Sequence, residues 1–144
     1  MGANDSIYGF TITDVYDGTV KGLLIRLLVA QPAYLKTRLD PEIQDLAQKV
    51  GLYSTDQITL VPATSKLHYG IMRWAEKWMC KTICMDYMGQ NNVEMANADK
   101  YLIKYEVYRR EEAQYRKEVT KEMFLNTVIR NTDRALVNVT ITRG

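Results

Sequence analysis

The sequence predicts a mainly α fold: a helical bundle built on two long antiparallel helices plus short N-terminal helices, with extended or β-strand N- and C-terminal arms. Three observations predict it. Apolar residues recur at three- and four-residue steps in separate stretches between residues 19 and 126. Helix-stopping residues (Gln31-Pro32, Gly51 and Gly89-Gln90-Asn91-Asn92) fall between those stretches. Alternating patterns with β-forming residues occur only near the two ends. At 144 residues and 47% hydrophobic, the chain is read as one domain, 1–144, able to bury a core without disulfides or metals. Within it, 1–17 forms an N-terminal arm, 18–130 the helical core and 131–144 a C-terminal arm.

Ser6 to Thr13 alternates weakly and contains β-formers, which predicts a short strand or an extended arm. Asp14 to Gly18 has the composition of a turn leading into a helix. Thr19 to Ala30 places Val20, Leu23, Leu24, Leu27 and Leu28 at helical spacing, and a short helix is favoured over a buried strand. The clearest signal follows. Asp40 is a good N-cap, Pro41 suits the first helical position and Glu42 the positive helix end. Ile43, Leu46, Ala47 and Val50 share a face, and Gly51 stands where a C′ glycine belongs, so Asp40 to Gly51 reads as a compact amphipathic helix.

Leu52 to Val61 reads as a loop. Pro62 and Thr64 open a long helix to about Met88, its apolar face carrying Leu67, Ile71, Trp74, Trp78 and Met85. A second long helix runs from about Asp99 to Asn126. Tyr101, Tyr105, Tyr108, Tyr115, Val119 and Met123 form one stripe on it, broken at Glu112. The steps of four and three suit an antiparallel helical pair. The other faces carry charges of alternating sign, as a solvated or interfacial surface does. From Ala135 to Arg143, Val137, Val139 and Ile141 alternate with polar residues, which predicts a strand. A lone strand is not stable by itself, so it pairs with the N-terminal strand or adds to another molecule.

Composition narrows the chemistry. A net charge of +2, from 19 basic and 17 acidic residues, gives no dense basic footprint for nucleic acid. Arg73, Lys77 and Lys81, with Lys66, give only a modest basic face. Trp74 and Trp78, one turn apart, read as core more readily than as base-stacking platforms. Cys80 and Cys84 share a helix face. They read as small buried apolar side chains, because a zinc site needs further ligands and His68 lies three turns away. No nucleophile stands in a recognisable pattern with His68, and no glycine-rich phosphate loop occurs. The expectation is a non-enzymatic protein without cofactor or metal. The N-terminus lacks the pattern of a signal peptide, and the longest apolar run, Leu23 to Ala30, is too short to span a bilayer, so a soluble intracellular protein is expected. Residues 1–6 fit the short, common myristoylation pattern, which carries no argument alone. Ten tyrosines against two phenylalanines favour surfaces that become interfaces.

The order of these pieces carries a resemblance. Gly22-Leu23-Leu24-Ile25-Arg26-Leu27-Leu28 is followed by Leu39-Asp40-Pro41-Glu42-Ile43. Trp74-Ala75-Glu76-Lys77-Trp78 comes next, then Asp99-Lys100-Tyr101-Leu102-Ile103-Lys104-Tyr105 and Tyr108-Arg109-Arg110-Glu111. Across roughly 18–130 the chain resembles the head-to-tail connector (adaptor, or head-completion) proteins of tailed bacteriophages. The resemblance rests on helix signatures, not chemical motifs. It implies a virion structural protein at the head–tail junction, assembled in the host cytoplasm and acting by binding alone. It also implies a homo-oligomeric ring of about twelve copies, closed by heterologous contacts. The implied partners are the portal protein, the tail or next connector protein, and DNA touched non-specifically in a lumen, with no membrane. Tyr101, Tyr105, Tyr108, Tyr115, Arg109, Arg110, Val137, Val139 and Ile141 are the candidate intersubunit and portal contacts. Two further readings stand beside this one: a small helical nucleic-acid-binding or regulatory protein, which would bind DNA in a strongly salt-dependent way, and a tail-completion protein, which would be richer in strands.

Overall fold

A computed structural model describes residues 5–88 and 95–126. The described chain is mainly helical. Its elements are α1 (Gly18–Ala30), α2 (Asp40–Lys49), α3 (Tyr69–Met88), α4 (Met95–Glu118) and α5 (Lys121–Leu125). Among the described residues, β pairing is limited to an isolated bridge between Val61 and Lys66. The predicted C-terminal strand, with Val137, Val139 and Ile141, lies outside the described residues.

The bundle is organised on α3. Its Ile71, Trp74, Ala75, Trp78, Met79 and Ile83 are buried, as is Leu67 just before it, while Met85 is exposed. The helix α4 runs antiparallel along it: Tyr87 meets Tyr101 at 5.8 Å between ring centroids, and Arg73 meets Glu118 at the other end. From α1, Val20, Leu23, Leu24 and Leu28 enter the same core. Asp17 caps α1, accepting hydrogen bonds from the Thr19 and Val20 amides at 2.9 and 3.1 Å.

Four features differ from the sequence expectation, each for a physical reason. The first is the N-terminal segment. Ser6, Tyr8, Gly9 and Phe10 are buried and Ile7 is half exposed, and the segment is neither strand nor extended arm. It folds back on itself through Ser6 N–H to Phe10 O at 3.0 Å and Gly9 N–H to Ser6 O at 3.1 Å. The Asp40 carboxylate takes the Ser6 hydroxyl and the Ile7 amide. Gly9 adopts a φ of +87°, and a Cβ there would stand 2.4 Å from Ser65 O and 2.8 Å from Lys66 Cα. Both neighbours are backbone atoms and cannot swing aside. Gly9→Ala is therefore expected to cost at least about 2 kcal/mol, read as a lower urea midpoint at unchanged slope.

The second is Asp40, which is not an N-cap. Its φ and ψ of −58° and −41° are helical, because a π-helical turn at Leu35–Leu39 runs straight into α2. The wide turn falls where the Pro41 ring would otherwise meet the carbonyl one turn back. The other end follows expectation. Gly51 has φ +103°, its amide bonds Gln48 O, and the Leu52 amide bonds Ala47 O, the two bonds of a Schellman motif.

The third is the start of α3, at Tyr69 and not Pro62. The Val61–Lys66 bridge closes 61–66 into a tight loop with Ser65 at φ +58°. Lys66 Nζ anchors that loop on Gly9 O at 3.0 Å and Asp14 Oδ2 at 2.6 Å. His68 then acts at the helix start: its Nδ1 accepts from the Gly70 amide at 3.0 Å and its carbonyl accepts from Ile71 and Met72. The second long helix is also interrupted. It stops at Glu118 and resumes as α5 after Thr120, which turns Phe124 fully into the core and lets its carbonyl accept from the Thr59 amide at 2.8 Å.

Candidate functional site

The seam between α3 and α4 carries most of the polar chemistry. Glu112, the break in the tyrosine stripe, is 2% exposed. It accepts from Trp74 Nε1 at 3.1 Å, Lys81 Nζ at 2.8 Å and the Arg116 guanidinium. Burial opposes its charge, but Lys81, Trp74 and Arg116 outweigh that and hold the carboxyl below its ordinary range. Asp17 forms a second, partly covered node. Beyond its capping bonds it accepts from Lys104 Nζ at 2.6 Å and from the Tyr108 hydroxyl. Burial raises its carboxyl, yet these donors hold it at about 2.

The four tyrosines of the stripe are half buried and packed against the core of their own chain. Tyr101 meets Tyr87, and Tyr108 lies under Lys77 Nζ at 5.5 Å while bonding Asp17. The Arg73 guanidinium lies 4.3 Å from the centroid of the Tyr115 ring and 5.5 Å from that of Tyr69. Tyr105 packs likewise on the core. Arg109 and Arg110 are exposed; Arg109 pairs with Glu106 one turn back.

The modest basic face is neutralised from within. Lys66 pairs with Asp14, Arg73 with Glu118, Lys77 with Glu76 and Glu111, and Lys81 with Glu112. Trp74 and Trp78 are buried, 2% and 7% exposed, so neither offers a ring to a nucleobase. Beside this face a groove of about 450 Å³ is lined by Asp14, Tyr16, Lys66, Tyr69, Arg73 and Tyr115, among others. Its charges are already paired, while Tyr16 and Tyr69 remain 80% and 71% exposed.

Cys80 and Cys84 are free and buried, as the spacing implied. Burial pushes the Cys80 thiol far up, and burial with the nearby Asp17 charge pushes Cys84 up to about 11. A thiol held neutral and covered is a poor nucleophile. Maleimide labelling at pH 7 is expected to leave both untouched in the native protein and to modify both in denaturant, as intact mass would read. Native labelling within minutes would contradict this packing. Among the described residues no group of three or more His, Cys, Asp and Glu side chains is placed to hold a metal. No described helix is long and apolar enough to cross a membrane.

Besides Ile7, Tyr16, Tyr53, Tyr69 and Met85, exposed apolar residues recur on two helices. On α1, Ile25 and Val29 are 44% and 80% exposed; on α4, Leu102, Ile103 and Val107 are 47%, 67% and 41% exposed. Helical periodicity marks the tyrosine side of α4. The opposite side carries fewer apolar residues, and only their separation from the core reveals them. Comparison with protein-family models, with curated proteins and with solved structures finds no match to this chain.

Proposed function

We propose that this protein is a non-enzymatic assembly subunit, and that it serves as a head-to-tail connector subunit of a tailed phage, forming a ring between portal and tail. The observation that carries the reading is the exposed apolar surface on α1 and α4, set on a bundle whose α3 lysines and Arg73 are held by its own carboxylates. A closed ring needs two different faces on each copy. The self-neutralised basic face supports assembly over nucleic-acid binding, because lysines already held by carboxylates release few counterions on meeting phosphate.

The test is light scattering after size-exclusion chromatography, with and without a purified portal ring. The connector reading expects a small free species that joins the portal. A chain that ignores the portal and shifts with DNA at low salt sinks it in favour of the nucleic-acid reading. A chain that ignores the portal but caps purified tails would instead make it a tail-completion protein.

A further inference from the structure

The groove beside the basic face has apolar and aromatic walls over charges that already hold one another. Val61, Leu67 and Met72 line it together with the rings of Tyr16, Tyr69 and Tyr115. Lys66 is held by Asp14, Arg73 by Glu118, and Lys77 by Glu76 and Glu111. A charged occupant would have to take a partner from one of those pairs, and an uncharged one would not. The volume of about 450 Å³ is in the range of sites that enclose a bound group. Open ladder groups adjoin it. The amides of Thr59 and Val61 bond Phe124 O and Lys66 O at 2.8 and 2.7 Å. Leu60, between them, makes no backbone hydrogen bond among the described residues, which leaves one donor and one acceptor for an added strand.

We infer that this groove is a docking site for residues 135–142 of the same chain, which lie outside the described residues. Three observations select that occupant. The first is composition. The segment Ala-Leu-Val-Asn-Val-Thr-Ile-Thr carries no charge, and Val137, Val139 and Ile141 alternate with Asn138, Thr140 and Thr142. One row of side chains meets the apolar walls and the other stays in water. The second is position. The described chain leaves α5 at Asn126, in a left-handed turn with φ +52°. Phe124 fastens α5 to Thr59, two residues before Val61, and Met123 stands against Gly70, next to Tyr69. The eight residues 127–134 reach up to about 28 Å, which brings the segment to the groove without strain. The third is elimination. Residues 89–94 join α3 to α4 at the Tyr87–Tyr101 end, whereas the groove lies at the Arg73–Glu118 end. Residues 1–4 are too few to line a groove with alternating side chains, and 6–10 are folded back on themselves.

The contact lies within one copy and does not depend on assembly. A short flexible link holds the segment at an effective concentration on the order of 1 mM. An intrinsic Kd of about 100 µM then keeps the groove filled about nine-tenths of the time. Tyr16 and Tyr69, 80% and 71% exposed, are the rings it covers.

Fluorescence anisotropy of a labelled synthetic peptide of residues 134–144, titrated with the whole chain, tests this. A chain carrying Val137→Asp and Val139→Asp frees its own groove and is expected to bind the peptide with a Kd of about 100 µM or tighter. The wild type, its groove already filled, is expected to bind at least about tenfold more weakly. Adding Tyr16→Ala and Tyr69→Ala to the freed chain strips two exposed walls. That chain is expected to lose at least about tenfold in peptide affinity with unchanged helical circular dichroism. Light scattering is expected to give the wild type and the freed chain the same mass. Four results would overturn the inference. The freed chain could leave the peptide unbound at about 1 mM. The wild type could bind as tightly as the freed chain, which leaves the groove open to a separate partner. Peptide binding could survive the loss of both tyrosines, which places it elsewhere. The wild type could form an oligomer that Val137→Asp and Val139→Asp abolish, which seats the segment on a second copy.

Discussion

Replacing Glu112 by alanine is expected to destabilise the fold by about 3–5 kcal/mol, the cost of removing one partner from a buried charged network. The carboxylate is the shared acceptor of Trp74 Nε1, Lys81 and Arg116. Without it the indole N–H is buried unpaired and the Lys81 ammonium, itself largely covered, loses its counter-charge. Glu112→Gln keeps an acceptor for Trp74 and gives up the charge, so its loss is smaller. Urea denaturation of both variants, at unchanged slope, reads the difference. A shift below about 1 kcal/mol for Glu112→Ala would mean that water replaces the carboxylate in the seam.

The second large effect belongs to Asp17, and pH reveals it. Its carboxyl is held at about 2 in the fold, against about 3.9 in an unfolded chain. A depressed acid contributes stability that is fully present above the unfolded value and is lost as pH falls through the folded one. The contribution is about 2 kcal/mol, fading between about pH 4 and pH 2. Asp40 works in the opposite direction: burial raises its carboxyl despite Ser6 and the Ile7 amide, so the fold favours its protonated form. Asp17→Asn should therefore flatten the loss of stability between pH 5 and pH 2.5. Asp17→Ala also removes the cap of α1 and the partners of Lys104 and Tyr108, and should cost about 3 kcal/mol at pH 7. A variant as acid-sensitive as the wild type would place the acid transition elsewhere.

The helices and most of their buried faces were legible in the sequence, because helical periodicity is a local signal. The end of α2 was legible for the same reason, since Gly51 answers a local backbone demand. Its beginning was not. An Asp-Pro-Glu run marks a helix start in isolation, but here a wide turn precedes it and a segment from 33 residues earlier claims the Asp40 carboxylate. The start of α3 was misplaced similarly, because Lys66 is recruited by Gly9 and Asp14, 57 and 52 residues away. Glu112 was visible as a break in a stripe, but its meaning required Trp74 and Lys81 on another helix. Lys66, Arg73, Lys77 and Lys81 show in the sequence as a modest basic face. Its neutralisation by Asp14, Glu111, Glu112 and Glu118 depends on how distant elements pack, which periodicity does not encode.

The cap on α1 has a kinetic consequence. Its fastenings to α4 join residues 87 and 91 positions apart, whereas the pairing of α3 with α4 brings together residues such as Tyr87 and Tyr101. Closing the short loop costs less chain entropy than closing the long one. The α3–α4 hairpin should therefore assemble early, with α1 settling onto it afterwards and lifting off first when the molecule breathes. Cys80 and Cys84 are buried on α3, the helix that α1 packs against, so their rate of reaction with a thiol reagent is expected to rise as α1 lifts. Two buried sulfurs thus serve as internal reporters of how often the bundle opens at its first helix.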